Sequence, residues 1–249
     1  MNKGAATAPA GSKLGWITAA VTMGVSMQAM DAHVASVALP TIRGAMSATP
    51  DEVSWILTAS LISIAVGTPP IAWLSRRYGR RRLFLVVVAG FTVCSIFAGL
   101  SQSLFEMVFF RALQGLCAAG LAPLAQQILL DVYPEKQHGV AMGWFTVGVM
   151  FGLIAGPTLG GVIVEYYSWR WVFLINVPIA LLAFLLIFLF VPEGERDTGR
   201  HFDFFGFASL SIAIACLQLV LDRGERLDWL ESYEIIIELG ILTAALYVF

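Results

Sequence analysis

Apolar residues run along this chain in stretches about 20 long, separated by short clusters of charged and turn-forming residues. A helix rises about 1.5 Å per residue and the hydrocarbon layer of a bilayer is about 30 Å thick, so stretches of this length predict membrane-spanning helices. The polar breaks place them at 14–39, 53–75, 83–101, 104–130, 140–164, 171–191 and 204–221. An eighth apolar run opens at Ile235 and continues to Phe249. Its rise of about 22 Å falls short of the bilayer. This predicts a truncated eighth helix and a chain that is the first part of a longer protein. The pattern as a whole predicts an all-α polytopic membrane protein.

Composition narrows the function classes. Of 249 residues, 58% are hydrophobic and 13% charged, with a mean hydropathy of +0.80. Soluble domains carry about 25% charged residues, so a water-soluble enzyme is excluded. The net charge of -2 offers no basic surface for nucleic acid. Cys94, Cys117 and Cys216 are odd in number, widely spaced and set in apolar runs. They read as packing residues, with neither a disulfide framework nor a metal site. The first apolar run is too long for a signal-peptide core and predicts a retained anchor.

Short loops rich in Lys and Arg stay cytoplasmic. Ten basic residues fall on one set of alternate loops: Lys3, Lys13, Arg76, Arg77, Arg80, Arg81, Arg82, Lys136, Arg196 and Arg200. The opposite set carries Arg43, Arg170, Arg223 and Arg226. This asymmetry predicts a cytoplasmic N-terminus. The expected organisation is a cytoplasmic tail at 1–13, a six-helix N-terminal bundle at 14–191, a charged cytoplasmic linker at 192–203, and a seventh helix with the truncated eighth at 204–249. Trp169, Arg170 and Trp171 with Tyr166 and Tyr167 predict an outer aromatic belt.

Several motifs together resemble the major facilitator superfamily, in particular its 14-helix drug:proton antiporter branch. AWLSRRYGRRR is similar to the family's loop signature between helices 2 and 3. Arg77, Gly79, Arg80 and Arg81 agree with it, while Ala72 and Arg76 stand where Gly and Asp are expected. Asp131, at the inner end of helix 4, is a candidate replacement acid for Arg80 or Arg81. RALQGLCAAGLAP resembles the helix-4 signature through Arg111, Gln114 and Gly115, which share a helix face. In helix 5, GVMFGLIAGPTLGG matches the antiporter signature without a gap, through Gly148, Gly152, Gly156, Pro157, Gly160 and Gly161. Glycines four apart form a smooth face that lets a neighbouring helix approach closely, and Pro157 removes a backbone hydrogen bond. MDAHVASVALPTI resembles the branch's helix-1 signature, with Asp31 at the acidic position. LDRGERLDW, after helix 7, is similar to an outer loop of the branch and favours 14 helices over 12. The resemblance implies a fold of rocking helical bundles and export coupled to protons.

The residues that carry chemistry stand out against this apolar background. Asp31 lies about 13 Å by rise from the outer end of helix 1, deep enough for an isolated charge to be expensive. A carboxylate there attracts a cation when ionised and releases it when protonated, which is the minimum an antiporter needs. Arg111 lies at a similar depth, about 10 Å into helix 4, and is expected to approach Asp31 in one conformation. Met23, Met27 and Met30 share a face with Asp31 and suit an adaptable apolar pocket, or plain helix packing. His33 is a further candidate for that pocket, as a proton relay, or a histidine bonded to a neighbouring helix. Glu238, in the eighth helix, is a further candidate on the substrate path.

These readings point to a proton-coupled multidrug efflux transporter of the bacterial inner (plasma) membrane, exporting amphipathic or cationic compounds by alternating access. No cofactor is implied, and no GxxxxGK[ST] phosphate loop occurs in the sequence. Expected partners are the lipid bilayer, small hydrophobic or cationic substrates and protons, and, by resemblance, a periplasmic adaptor and outer-membrane channel. The rival readings are an exporter of one specific metabolite and a non-transporting membrane scaffold.

Overall fold

The computed structural model describes residues 11–194, 202–225 and 227–249, and among these every regular element is helical. Lys3, Arg196, Arg200 and Arg226, with most of the expected tail and linker, lie outside the described residues. The helices are α1 (Gly11–Met46), α2 (Pro50–Tyr78), α3 (Arg80–Leu100), α4 (Leu104–Ala118), α5 (Leu121–Val132), α6 (His138–Tyr166), α7 (Trp171–Leu174), α8 (Asn176–Phe190), α9 (Phe204–Arg223) and α10 (Tyr233–Val248).

Among the described residues, six segments are long and apolar enough to cross a membrane: α2, α3, Leu104–Val132, Glu135–Tyr166, Trp171–Phe190 and α9. The longest helix, α1, is not one of them, because Gln28, Asp31 and His33 interrupt its apolar run. It occupies the middle of the bundle instead. Its first half joins an apolar cluster with Phe84, Leu121, Leu124 and Ile187, and its second half joins another with Ile56, Met107 and Phe173. Asp31 sits at the junction of the two.

Local chemistry explains where the elements begin and break. A capping box starts α2: Thr49 N donates to Glu52 Oε2 at 2.8 Å, and Glu52 N donates to Thr49 Oγ1 at 3.3 Å. Gly79, at φ 89°, is the single residue between α2 and α3, a conformation that favours glycine. The stretch expected as one helix at 104–130 breaks at Ala119–Gly120, where Pro123 has no N–H for the Ala119 carbonyl. The stretch at 171–191 breaks at Ile175 for the same reason, since Pro178 cannot donate to Leu174. By contrast, α1 continues past Pro40 to Met46, beyond its expected end.

One expectation is corrected here. Tyr166, Tyr167 and Trp171 are exposed, as an aromatic belt requires, but Trp169 is buried. Its ring lies edge-on to Phe173 and under the Arg170 guanidinium at 4.4 Å, so it packs between helices instead of facing lipid headgroups.

The α9–α10 hairpin is fastened to α2 at both ends. Phe202 packs on Trp73 with ring centroids 4.8 Å apart. At the other end Thr58 Oγ1 donates to Asp222 Oδ2, and Arg223 lies over the Trp55 ring at 5.8 Å. Arg223 also pairs with Glu234 at 3.0 Å and Glu238 at 3.8 Å, closing the hairpin on itself.

Candidate transport site

Helix α4 can present Arg111 to the centre of the bundle because it lies hard against α2. A Cβ on Gly115 would meet the Ser60 carbonyl and come within 2.9 Å of Ser63 Cβ, so only glycine permits this approach. One turn earlier Arg111 Nε donates to the Ile56 carbonyl at 3.3 Å. Arg111 Nη1 then donates to Asp31 Oδ2 at 2.6 Å and to Gln114 Oε1 at 2.8 Å. Gln114 Nε2 closes the ring by donating to Asp31 Oδ1 at 3.1 Å. Asp31 and Arg111, matched by depth, and Gln114, from the helix-4 motif, therefore meet.

The pair is dry. Asp31 is 5%, Arg111 1% and Gln114 0% exposed. Burying either charge alone is costly, and a pair survives only where good geometry and extra hydrogen bonds compensate both ions. That compensation is present: Asp31 accepts from Arg111, Gln114 and Asn176, and the guanidinium also lies 5.7 Å from the Phe173 ring centroid.

Two participants were not anticipated. Asn176 Nδ2 donates to Asp31 Oδ1 at 2.6 Å and to Ser95 Oγ at 3.1 Å, and Ser95 Oγ donates onward to the Phe173 carbonyl at 2.8 Å. An asparagine within VFLINVPIALL is a polar intrusion in an apolar run, the same signal that singles out Asp31. Ser95 gives no such signal, because a helical serine ordinarily bonds its own preceding turn.

Beside this centre a cavity of about 580 Å³ runs along α1 from Met30 back towards Gly15. Met23, Met27 and Met30 line it, together with Tyr133, Trp144, Phe151 and Ile179. His33 does not. Its ring nitrogen Nδ1 bonds the Ala29 carbonyl of its own helix at 2.8 Å, and its Cβ lies against Gly156 of α6. The expected pocket role for His33 is thereby corrected: two residues past Asp31, it points to the α6 side of α1. Glu238 likewise pairs with Arg223 in the α9–α10 hairpin, not with the Asp31 centre.

The glycine motif divides by face. Gly148, Gly152, Gly156 and Gly160 pack on α1, where added Cβ atoms would lie 2.7 Å from Ala29 Cβ at Gly152 and 2.7 Å from His33 Cβ at Gly156. Ser26 Oγ donates across this seam to the Gly148 carbonyl at 2.8 Å. Gly161 has open space where its Cβ would be, and Pro157 is exposed, so neither belongs to the seam. In the first turn of α3, Arg80 pairs with Asp131 of α5, and Arg81 donates to the Phe188 carbonyl. Arg82 reaches Glu193 at 3.3 Å, and Arg77 lies over the Trp73 ring at 5.3 Å. Of the two arginines offered to Asp131, it is Arg80 that pairs with it.

A family model described as "Major Facilitator Superfamily" matches residues 21–249. The chain is 38% identical over 228 residues to the multidrug export protein EmrB of Escherichia coli (strain K12), covering 91% of this chain and 44% of that protein. It is 35% identical over 232 residues to the fatty acid resistance protein FarB of Neisseria gonorrhoeae, covering 93% and 46%. Its fold resembles the inward open conformation of the xylose transporter XylE from E. coli, with a TM-score of 0.66 at 16% identity, covering 93% of this chain and 56% of that one. The chain spans less than half the length of the curated relatives it matches. With a helical bundle built around a buried ion pair, a family match over nearly its whole length and six membrane-length helices, this multi-pass membrane protein belongs to the Major Facilitator Superfamily.

Proposed function

We propose that this chain is the proton-coupling part of a multidrug efflux transporter that exports amphipathic or cationic compounds across the bacterial inner membrane in exchange for protons. The observation that carries the reading is the buried Asp31–Arg111–Gln114 centre next in sequence to Met30, which lines a methionine-rich cavity. Asp31, ionised, holds Arg111; a proton on Asp31 loosens that hold, and a cationic substrate competes for the same carboxylate. Thioethers shape themselves to varied apolar bodies, which suits a broad substrate range. The seam of glycines lets α1 and α6 pack closely, and the Arg80–Asp131 pair ties α3 to α5 at the loop end. A periplasmic adaptor and outer-membrane channel are proposed partners, by analogy with the resembled branch; co-purification of the full-length protein with both from a diderm host tests this, and their absence refutes it.

The direct test is dye movement in proteoliposomes of the full-length protein. A cationic dye is expected to move against an imposed pH gradient with the wild type and to stop doing so with Asp31→Asn. Gradient-driven transport that survives Asp31→Asn removes Asp31 from the coupling role. A second reading, export of one narrow class of acidic amphiphiles, draws on the similarity to the fatty acid resistance protein. It predicts gradient-driven movement of a fatty acid and none of the dye.

A further inference from the structure

Asn176 is 0% exposed, and its side-chain carbonyl Oδ1 is buried without a hydrogen-bond partner, although its amide nitrogen makes two bonds. The neighbours dictate this orientation. An ionised carboxylate only accepts hydrogen bonds, and the single O–H of Ser95 is already given to the Phe173 carbonyl. Both groups therefore need the N–H side of the amide, and the carbonyl is left facing nothing.

A proton on Asp31 reverses the requirement, because the carboxyl then becomes a donor. Gln114 is poorly placed to respond. Its Oε1 already accepts from Arg111 and its Nε2 already donates to Asp31, so turning that amide would break both bonds. Asn176 is not bonded to Arg111, so turning it trades the two bonds its nitrogen donates for two that Oδ1 accepts and leaves the ion pair's own bonds in place. A half-turn of its amide brings Oδ1 to the Asp31 hydroxyl and to the Ser95 hydroxyl, which swings off the Phe173 carbonyl. That carbonyl lies two residues before the break at Ile175 between α7 and α8.

Resting on the reading of Asp31 as the coupling carboxylate, we propose that Asn176 is a positioning residue whose amide turns with the protonation of Asp31 and transmits it through Ser95 to the α7–α8 break. Among the described residues, Arg111 of α4 is the charged group in contact with Asp31. The other elements packed around it present Ile56 of α2, Ser95 of α3, Gly152 of α6, Phe173 of α7 and Asn176 of α8, none of which titrates. His33, on α1 itself, is engaged with Ala29.

The test uses the full-length protein, with infrared difference spectra and dye transport both recorded across a pH series. The carboxyl band lost in Asp31→Asn identifies Asp31. In Asn176→Leu that band remains, and its protonation midpoint, with the pH midpoint of transport, rises by about one pH unit, because the charge-assisted bond lost to the ionised carboxylate is worth more than the neutral bond lost to the protonated carboxyl. In the wild type, an amide carbonyl band that disappears in Asn176→Leu shifts with the same midpoint as Asp31. Should Asn176→Leu fail to fold, the smaller Asn176→Val, which offers neither donor nor acceptor, moves the midpoint the same way. Titration of Asp31 with an unmoved midpoint in these variants overturns the role of Asn176 and leaves the coupling reading standing. No titration of Asp31 in the wild type overturns both.

Discussion

A guanidinium and a carboxylate shut away together are held less by mutual attraction than by the penalty of separating them. Removing one partner of a buried pair typically costs about 3–5 kcal/mol, because the survivor is left uncompensated, whereas replacing both with apolar groups is often neutral. Arg111→Leu is therefore expected to lower the thermal stability of the detergent-purified, full-length protein by about that much. The double variant Asp31→Leu with Arg111→Leu should recover most of the loss while remaining dead in gradient-driven transport. A double variant no more stable than Arg111→Leu contradicts this account. Gln114 was legible because its spacing from Arg111 resembles the helix-4 signature, and Asp31 and Arg111 because each breaks an apolar run at a depth where water cannot reach it. Asn176 offers the same signal but follows WRW, which draws the eye to an aromatic belt. Trp169 shows how that reading fails, since an interfacial residue type packs inward once Arg170 and Phe173 surround it. His33 was misplaced because a helical face two residues away from Asp31 points about 200° around the axis.

At the scale of elements, the seam between α1 and α6 is a sequence pattern turned into a distance. Glycines at every fourth position fall on one face, and that much is fixed by 3.6 residues per turn. Which helix they meet is not, because α1 and α6 lie more than a hundred residues apart and the spacing names no partner. The breaks at Ala119–Gly120 and Ile175 were missed for a related reason: hydropathy averages over Pro123 and Pro178, while the local hydrogen-bond ladder does not. The α2 start was placed three residues late because Thr49 and Glu52 are polar, although their capping box begins the helix. The seam makes a paired prediction. Gly152→Ala drives a methyl into the Ser26 carbonyl and Ala29, both on a packed helix, and should destabilise the protein by about 1–3 kcal/mol and slow transport. Gly161→Ala, a position in the same motif with open space around it, should leave both unchanged. Thermal unfolding and dye efflux of the two variants decide it; equal losses would mean that the motif acts through the backbone freedom of glycine and not through close packing.

For the whole molecule, the direction in which the bundle faces the membrane decides what the cavity can do. The cavity extends from Met30 towards the start of α1, so it lies on the N-terminal side of Asp31. At that same end stand Lys13, the arginines from Arg76 to Arg82 around the α2–α3 turn, and Lys136. Arg43 and Arg170 mark the other end. If the basic end is cytoplasmic, as short Lys/Arg-rich loops require, a substrate enters the cavity from the cell interior or inner leaflet before it reaches the coupling carboxylate, which is the order an exporter needs. The α9–α10 hairpin, held to α2 by Phe202 on Trp73 and by Asp222 on Thr58, would keep its own ends in register with this bundle. The orientation is open to a direct measurement on the full-length protein with Cys94, Cys117 and Cys216 replaced by alanine. Tyr78 and Phe105 are exposed at opposite ends of the bundle, beside the α2–α3 turn and at the start of α4. A membrane-impermeant maleimide should label Tyr78→Cys from the cytoplasmic face of inverted vesicles alone and Phe105→Cys in intact spheroplasts alone. The reverse pattern would place the cavity on the outer side of Asp31 and turn the same chemistry into a device for uptake.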